Sequence, residues 1–173
     1  MKTEILLSGS GGQGIITAAI IYAKAAALFD KNVIQSQSYG PEARGGASKS
    51  EVIISDYEIY HPHVINPKYM LALTQQAADK YYSQLDKDGI LIIDETLIHT
   101  VPDVNHIIKI PFMNLTLKNF NKLLFMNIVA LGFLTKIIGQ IPYRYVKTAV
   151  SNSVPENFID INLQALELGY NLG

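Results

Sequence analysis

Two glycine-rich stretches hold the residues whose types and spacing could bind a ligand. The first, Gly9-Ser10-Gly11-Gly12-Gln13-Gly14, follows the apolar run Ile5-Leu6-Leu7 and opens a long helical pattern. Gly9-x-Gly11-x-x-Gly14 has dinucleotide-fold spacing in the strand-to-helix context that such a turn needs. Its chemistry would be that of unpaired backbone N–H groups at a helix start, which can hold an anion. The same glycines would equally serve a tight turn and close helix–sheet packing, and the motif alone leaves both readings open. The second stretch is Ser38-Tyr39-Gly40-Pro41-Glu42-Ala43-Arg44-Gly45-Gly46. Glu42 and Arg44 lie two apart, so in extended backbone they share a face and could brace the loop. Alternatively, the planar Arg44 fork could reach a phosphate or carboxylate.

An acidic partner for the first motif is missing. A ribose-binding Asp or Glu should end the second strand, roughly 20 residues beyond the glycines. That strand ends Ile34-Gln35-Ser36-Gln37-Ser38, and the nearest acid, Asp30, precedes it. Autonomous NAD binding is therefore disfavoured, which weakens the rival reading of a self-sufficient Rossmann-type enzyme. His61-Pro62-His63 lacks a further ligand at metal-binding spacing and reads as a surface loop. Asp94-Glu95 closes a strand with no nucleophile or second base beside it, so a helix N-cap is the expectation. Asn127, inside the apolar run from Leu123 to Gly132, needs a polar partner in a nearby loop or at an interface.

The elements that must position these residues read as follows. Residues 3–8 form a buried strand and 13–29 a helix with almost no polar face, which must be covered by the sheet and by something else. Residues 32–38 form a second strand, and the strand–helix–strand spacing implies a parallel pair. A half-exposed strand over 48–55 is expected to turn at Asp56 and pair with residues 58–60 as a hairpin. Further strands are expected at 69–73, 90–94 and 106–110, with a helix near 75–85. From Leu117 the chain reads as helical: one long helix within 120–138, another after Pro142 and a third from Pro155 to Gly169. The fold class is α/β. Its expected form is a single domain over 1–173, a three-layer α/β/α sandwich with a Rossmann-like, mostly parallel sheet, an antiparallel hairpin and a helical C-terminal third.

Composition narrows the class. With 49% hydrophobic and 17% charged residues the chain is not disordered. A formal charge of −1 gives no electrostatic reason to expect a nucleic-acid partner. There is no cysteine, hence no disulfide, thiolate zinc site or iron–sulfur cluster carried by this chain. The apolar stretch 123–134 is interrupted by Asn127 and Gly132 and is too short to span a bilayer. A cytoplasmic location with no membrane span is the expectation.

Leu7-Ser8-Gly9-Ser10-Gly11-Gly12-Gln13-Gly14-Ile15 and Ser38 to Gly46 together resemble the gamma subunit of 2-oxoacid:ferredoxin oxidoreductases. The resemblance continues through Val52-Ile53-Ile54-Ser55-Asp56, the Asn127-to-Gly132 helix and the closing Asn162-Leu163-x-Ala165-Leu166-Glu167-x-Gly169-Tyr170. The Ser-Tyr-Gly-Pro-Glu-x-Arg-Gly-Gly form looks most like the 2-oxoglutarate branch; pyruvate- and branched-chain-type relatives are the alternative. Residues 110–117 depart from the family pattern. The resemblance implies oxidative decarboxylation of a 2-oxoacid with coenzyme A by a complex that reduces ferredoxin or flavodoxin. It places thiamine diphosphate and Mg on alpha and beta subunits, and the clusters on beta or a delta subunit. It further implies that this chain is non-catalytic and inactive alone. Gly9, Gly11, Gly12, Gln13, Gly14, Ser38, Tyr39, Gly40, Pro41, Glu42, Arg44, Gly45 and Gly46 would then form loops that meet coenzyme A, the partner subunits, or both.

Overall fold

A computed structural model describes residues 1–38 and 46–173. Six strands form one mixed sheet: β1 (Lys2–Ser10), β2 (Asn32–Ser38), β3 (Ala47–Ser55), β4 (Tyr69–Ala72), β5 (Ile90–Asp94) and β6 (His106–Ile110), in the spatial order β2-β3-β1-β4-β5-β6. The β1–β4, β4–β5 and β5–β6 pairs are parallel, and β3 is antiparallel to both β1 and β2. The α/β class and helical C-terminal third stand as expected, but two local readings do not. β1 and β2 run in the same direction without pairing, because β3 lies between them. The antiparallel hairpin is β2–β3, with Ser38 opposite Lys49, rather than a pairing of β3 with residues 58–60, which form no strand.

Side chains alternate across the sheet and feed two cores. Ile5, Leu7, Val52, Ile54, Leu71 and Ile92 face one side, under α1 (Ile15–Leu28) and α4 (Met126–Ile138). Leu6, Met70, Ala72, Leu91 and Ile93 face the other, under α2 (Gln75–Tyr81) and the coil after β5. The first layer is thick. α5 (Tyr143–Ser151) packs on α1, and α6 (Ile159–Tyr170) packs along α4, which gives the near-uniformly apolar α1 its second cover. The second layer is thin: among the described residues it consists of α2, the 3-10 turn Tyr82–Gln84 that extends it, and connecting coil.

The long helix expected within 120–138 is α4, which stops at Gly139, and a separate helix precedes it. α3 (Phe112–Phe120) ends where Asn121 takes a left-handed conformation (φ 53°), and a 3-10 turn over Leu123–Phe125 leads into α4. α1 begins at Ile15, two residues later than the sequence suggested, because Gly14 occupies the N-cap with a positive φ of 73°.

Candidate functional site

The C-terminal ends of β1, β4, β5 and β6 share one sheet edge. β1 leads into α1 on the first face and β4 into α2 on the opposite face, so the crevice between their ends is the topological switch point. Open α/β sheets place ligands there. The first glycine stretch and the two described ends of the second, Ser38 and Gly46, belong to this edge. Ser10 pairs with Ala47, which sets Gly46 beside Gly11, and Ser38 ends β2 at the same edge. Tyr39, Gly40, Pro41, Glu42, Arg44 and Gly45 lie outside the described residues.

The first glycine motif divides into two kinds of position. A Cβ on Gly9 would stand 2.4 Å from Gln13 Oε1, and one on Gly14 2.4 Å from Asn127 Nδ2. These two glycines therefore serve close packing. The Gln13 side chain ties the turn: its Oε1 accepts from Ser10 N at 2.8 Å, and its Nε2 donates to Leu73 O at the end of β4 at 3.5 Å. Asn127 finds the loop partner that its burial demanded. Its Nδ2 donates to Gly14 O at 3.2 Å, and its Oδ1 accepts from Ile128 N at 3.0 Å. Gly11 and Gly12 are exposed, and Gly12 needs no Cβ space, only its φ of 88°.

Because Gly14 combines a left-handed backbone with the Asn127 contact, Gly14→Ala should cost about 2 kcal/mol. Urea unfolding of the isolated chain measures it; a change under 0.5 kcal/mol would show that the contact relaxes freely.

Two clefts flank the Gly11–Gly12 turn. One, of about 590 Å³, lies over the strand ends between Gly11, Gly12, Thr74, Leu97, Met113 and Leu123. The other, of about 340 Å³, lies among the starts of α1, α4 and α6. Leu123 and Leu124 border both, and Leu124 is 70% exposed. These apolar walls carry no chemical signature, so the motif reading missed Thr74, Leu97, Met113 and the Leu123–Leu124 ridge. The polar contribution comes from the backbone. Among the described residues, α1 has no side-chain cap, and neither α1 nor α4 has an acid in its first turn. Their dipoles thus leave a positive potential at the smaller cleft.

Asp94 braces the larger cleft from behind. It is fully buried at the end of β5; its Oδ1 accepts from Thr96 N at 2.8 Å and its Oδ2 from Met113 N at 2.9 Å. The expected N-cap role is thus exercised across space, on the first turn of α3. Burial raises the Asp94 carboxyl above the ordinary aspartate value, against the lowering effect of these N–H bonds. His63 is mostly exposed, with Nδ1 4.0 Å from Glu51 Oε2, and among the described residues no cluster of three metal-ligating side chains forms.

The family model described as pyruvate ferredoxin/flavodoxin oxidoreductase matches residues 4–172. A 2-oxoglutarate synthase subunit KorC of Methanocaldococcus jannaschii is 45% identical over 98% of this chain and 93% of its own length. The keto/oxoacid ferredoxin oxidoreductase gamma subunit of Geobacter sulfurreducens superposes with a TM-score of 0.91 at 40% identity, covering 99% of this chain and 95% of that one. The 2-oxoglutarate:ferredoxin oxidoreductase of Magnetococcus marinus shares the fold, with a TM-score of 0.87 at 23% identity, over 99% of this chain but 31% of that longer chain. Among the described residues no helix is long and apolar enough to cross a membrane. The sheet order, the glycine turn at its switch point and these near-complete matches agree: the chain belongs to the pyruvate ferredoxin/flavodoxin oxidoreductase family, as one of its gamma-type subunits.

Proposed function

We propose that this chain is the gamma-type subunit of a 2-oxoglutarate synthase, which converts 2-oxoglutarate, coenzyme A and oxidised ferredoxin to succinyl-CoA, carbon dioxide and reduced ferredoxin. The observation that carries the reading is 45% identity over nearly the full length of a relative named as a subunit of that enzyme. The decarboxylation chemistry belongs to partner subunits: thiamine diphosphate with Mg on alpha and beta, and iron–sulfur clusters on beta or delta. This chain has no cysteine to ligate a cluster.

Its own contribution would be the switch-point edge. Apolar walls at Leu97, Met113 and Leu123 suit an extended aliphatic arm, and the uncapped start of α1 suits phosphates. Coenzyme A combines both. The Gly11–Gly12 turn and the Arg44 loop would meet it, or the subunit that delivers it.

The isolated chain should show no turnover and no affinity for thiamine diphosphate; turnover by the pure chain would overturn the assignment. In the assembled complex, Arg44→Ala should raise the KM for coenzyme A about tenfold with assembly intact, the loss expected for one charge-assisted contact. Loss of assembly instead would make the loop a scaffold. An unchanged KM with intact assembly would remove Arg44 from the coenzyme A site.

A further inference from the structure

We propose that the smaller cleft is a purine-base site, in which Asn162 and Phe158 read the adenine of coenzyme A. It rests on the coenzyme A reading above and assigns which part of that molecule enters which cleft. Phe158 is the N-cap residue of α6, and Asn162 lies four residues on, with its Nδ2 donating to Phe158 O at 2.8 Å. Both line the cleft, together with Thr17, Leu124 and Pro155.

The chemistry of the lining selects the group. None of the described residues around the cleft is charged, so no side chain there neutralises a phosphate. Asn162 is only 7% exposed. One of its two Nδ2 hydrogens is used on Phe158 O, while its Oδ1 has no partner among the described residues and is not sealed in the interior. The amide thus presents one acceptor and one donor to the cleft. Adenine offers the matching edge, with N6–H as donor and N7 as acceptor, whereas guanine presents two acceptors there. Phe158, 39% exposed, sets an aromatic ring beside that amide, and bases stack on such rings.

The continuity of the two clefts fixes what the adenine belongs to. Gly12, Gln13, Leu123 and Leu124 line both. A ligand with its base against Phe158 can therefore cross the exposed Gly11–Gly12 turn at the start of α1 and enter the larger cleft, whose walls at Leu97 and Met113 are apolar. Coenzyme A has that order of parts: a base, then phosphates, then an aliphatic arm. A mononucleotide would fill the smaller cleft and leave the larger one unused.

The test uses the assembled synthase with two acceptor thiols, coenzyme A and its adenine-free fragment pantetheine 4′-phosphate. Phe158→Ser and Asn162→Leu should each lower the ratio of kcat/KM for coenzyme A to that for the fragment about tenfold, the loss expected for one stacked or paired base. A purely structural role would slow both thiols equally and leave the ratio unchanged, which overturns the site. Phe158 is the more exposed of the two, so its variant carries the test if Asn162→Leu fails to assemble. Adenosine 3′,5′-bisphosphate should compete with coenzyme A at least tenfold more tightly than its guanosine counterpart, and Phe158→Ser should weaken that inhibition about tenfold. Equal inhibition by the two nucleotides overturns the role of Asn162. AMP that binds without competing with coenzyme A, and no longer binds to Phe158→Ser, overturns coenzyme A as the source and leaves the cleft to a free nucleotide. A wild-type complex that forms no succinyl-CoA from 2-oxoglutarate overturns the underlying subunit reading instead.

Discussion

Gly169→Ala is expected to destabilise the protein by about 3–5 kcal/mol, a large share of the ~5–15 kcal/mol that holds an average domain together. A Cβ at that position would stand 1.8 Å from Val129 O and 2.7 Å from Val129 C. Gly132 makes the reciprocal approach: its Cβ would meet Leu166 O at 2.1 Å and Tyr170 N at 2.8 Å. Both obstacles are backbone, so no side chain can turn away, and relief requires α4 and α6 to separate. Separation would uncover Val129, Phe133, Ala165 and Leu166, all fully or almost fully buried.

Gly139→Ala provides the contrast. Its nearest neighbour lies 3.9 Å away, so only its φ of 64° resists a side chain, at about 1 kcal/mol. Thermal melting should therefore place Gly169→Ala roughly 10 °C below wild type and Gly139→Ala only a few degrees below, at ~2–4 °C per kcal/mol for this chain length. The Gly132→Ala, Gly169→Ala double variant should cost less than the sum, because the first substitution already parts the helices. Equal melting points for Gly139→Ala and Gly169→Ala would refute the close crossing.

That crossing shows why some of the structure was legible in the sequence and some was not. Gly132 read as an interruption of an apolar helix, because helical periodicity says nothing about how near a neighbouring backbone comes. Gly132, midway along α4, carried a signal of its own, an interior glycine that needs a packing reason; Gly169, one residue before the end of α6, read as a helix end. β5 and β6 were legible to the residue, since each is an apolar run bounded by turn formers. The position of β3 between β1 and β2 was not, because strand order depends on pairing between residues tens of positions apart.

Residues 58–60 failed as a strand for a similar reason. The N–H groups of the same connection, at Val64, Ile65 and Asn66, are satisfied by Glu51 and Glu4 side chains rather than by a ladder. Of the site itself, the sequence revealed the glycine turn, where demand for positive φ is local. The switch point was hidden, because it requires knowing that β4 lies beside β1 and that α2 lies opposite α1.

Asp94→Ala should cost about 3 kcal/mol, the second large effect in the molecule. The variant removes the fully buried carboxylate that accepts from Thr96 N and Met113 N. It also frees the first turn of α3 from its only side-chain cap among the described residues. Asp94→Asn keeps the volume and one acceptor oxygen but turns an NH2 group toward an N–H donor, so it should lose about 2 kcal/mol.

The pH dependence has a defined sign. Burial raises the folded-state pKa of Asp94 above the ordinary value, so the native state binds this proton more tightly than the unfolded chain does. Its contribution is therefore fully present below about pH 4, declines as pH rises through the raised folded value, and is constant above it. The stability margin of wild type over Asp94→Asn should accordingly narrow as pH rises from 4. A margin that widens over that range would mean that the N–H bonds outweigh burial.

Leu97 and Met113 form two walls of the larger cleft, and both are held through Asp94 and its neighbours. The same substitution in the assembled synthase should therefore raise the KM for coenzyme A if that cleft receives it. An unchanged KM in a destabilised but assembled variant would assign coenzyme A to the smaller cleft or to another subunit, and leave Asp94 as the clasp between β5 and α3.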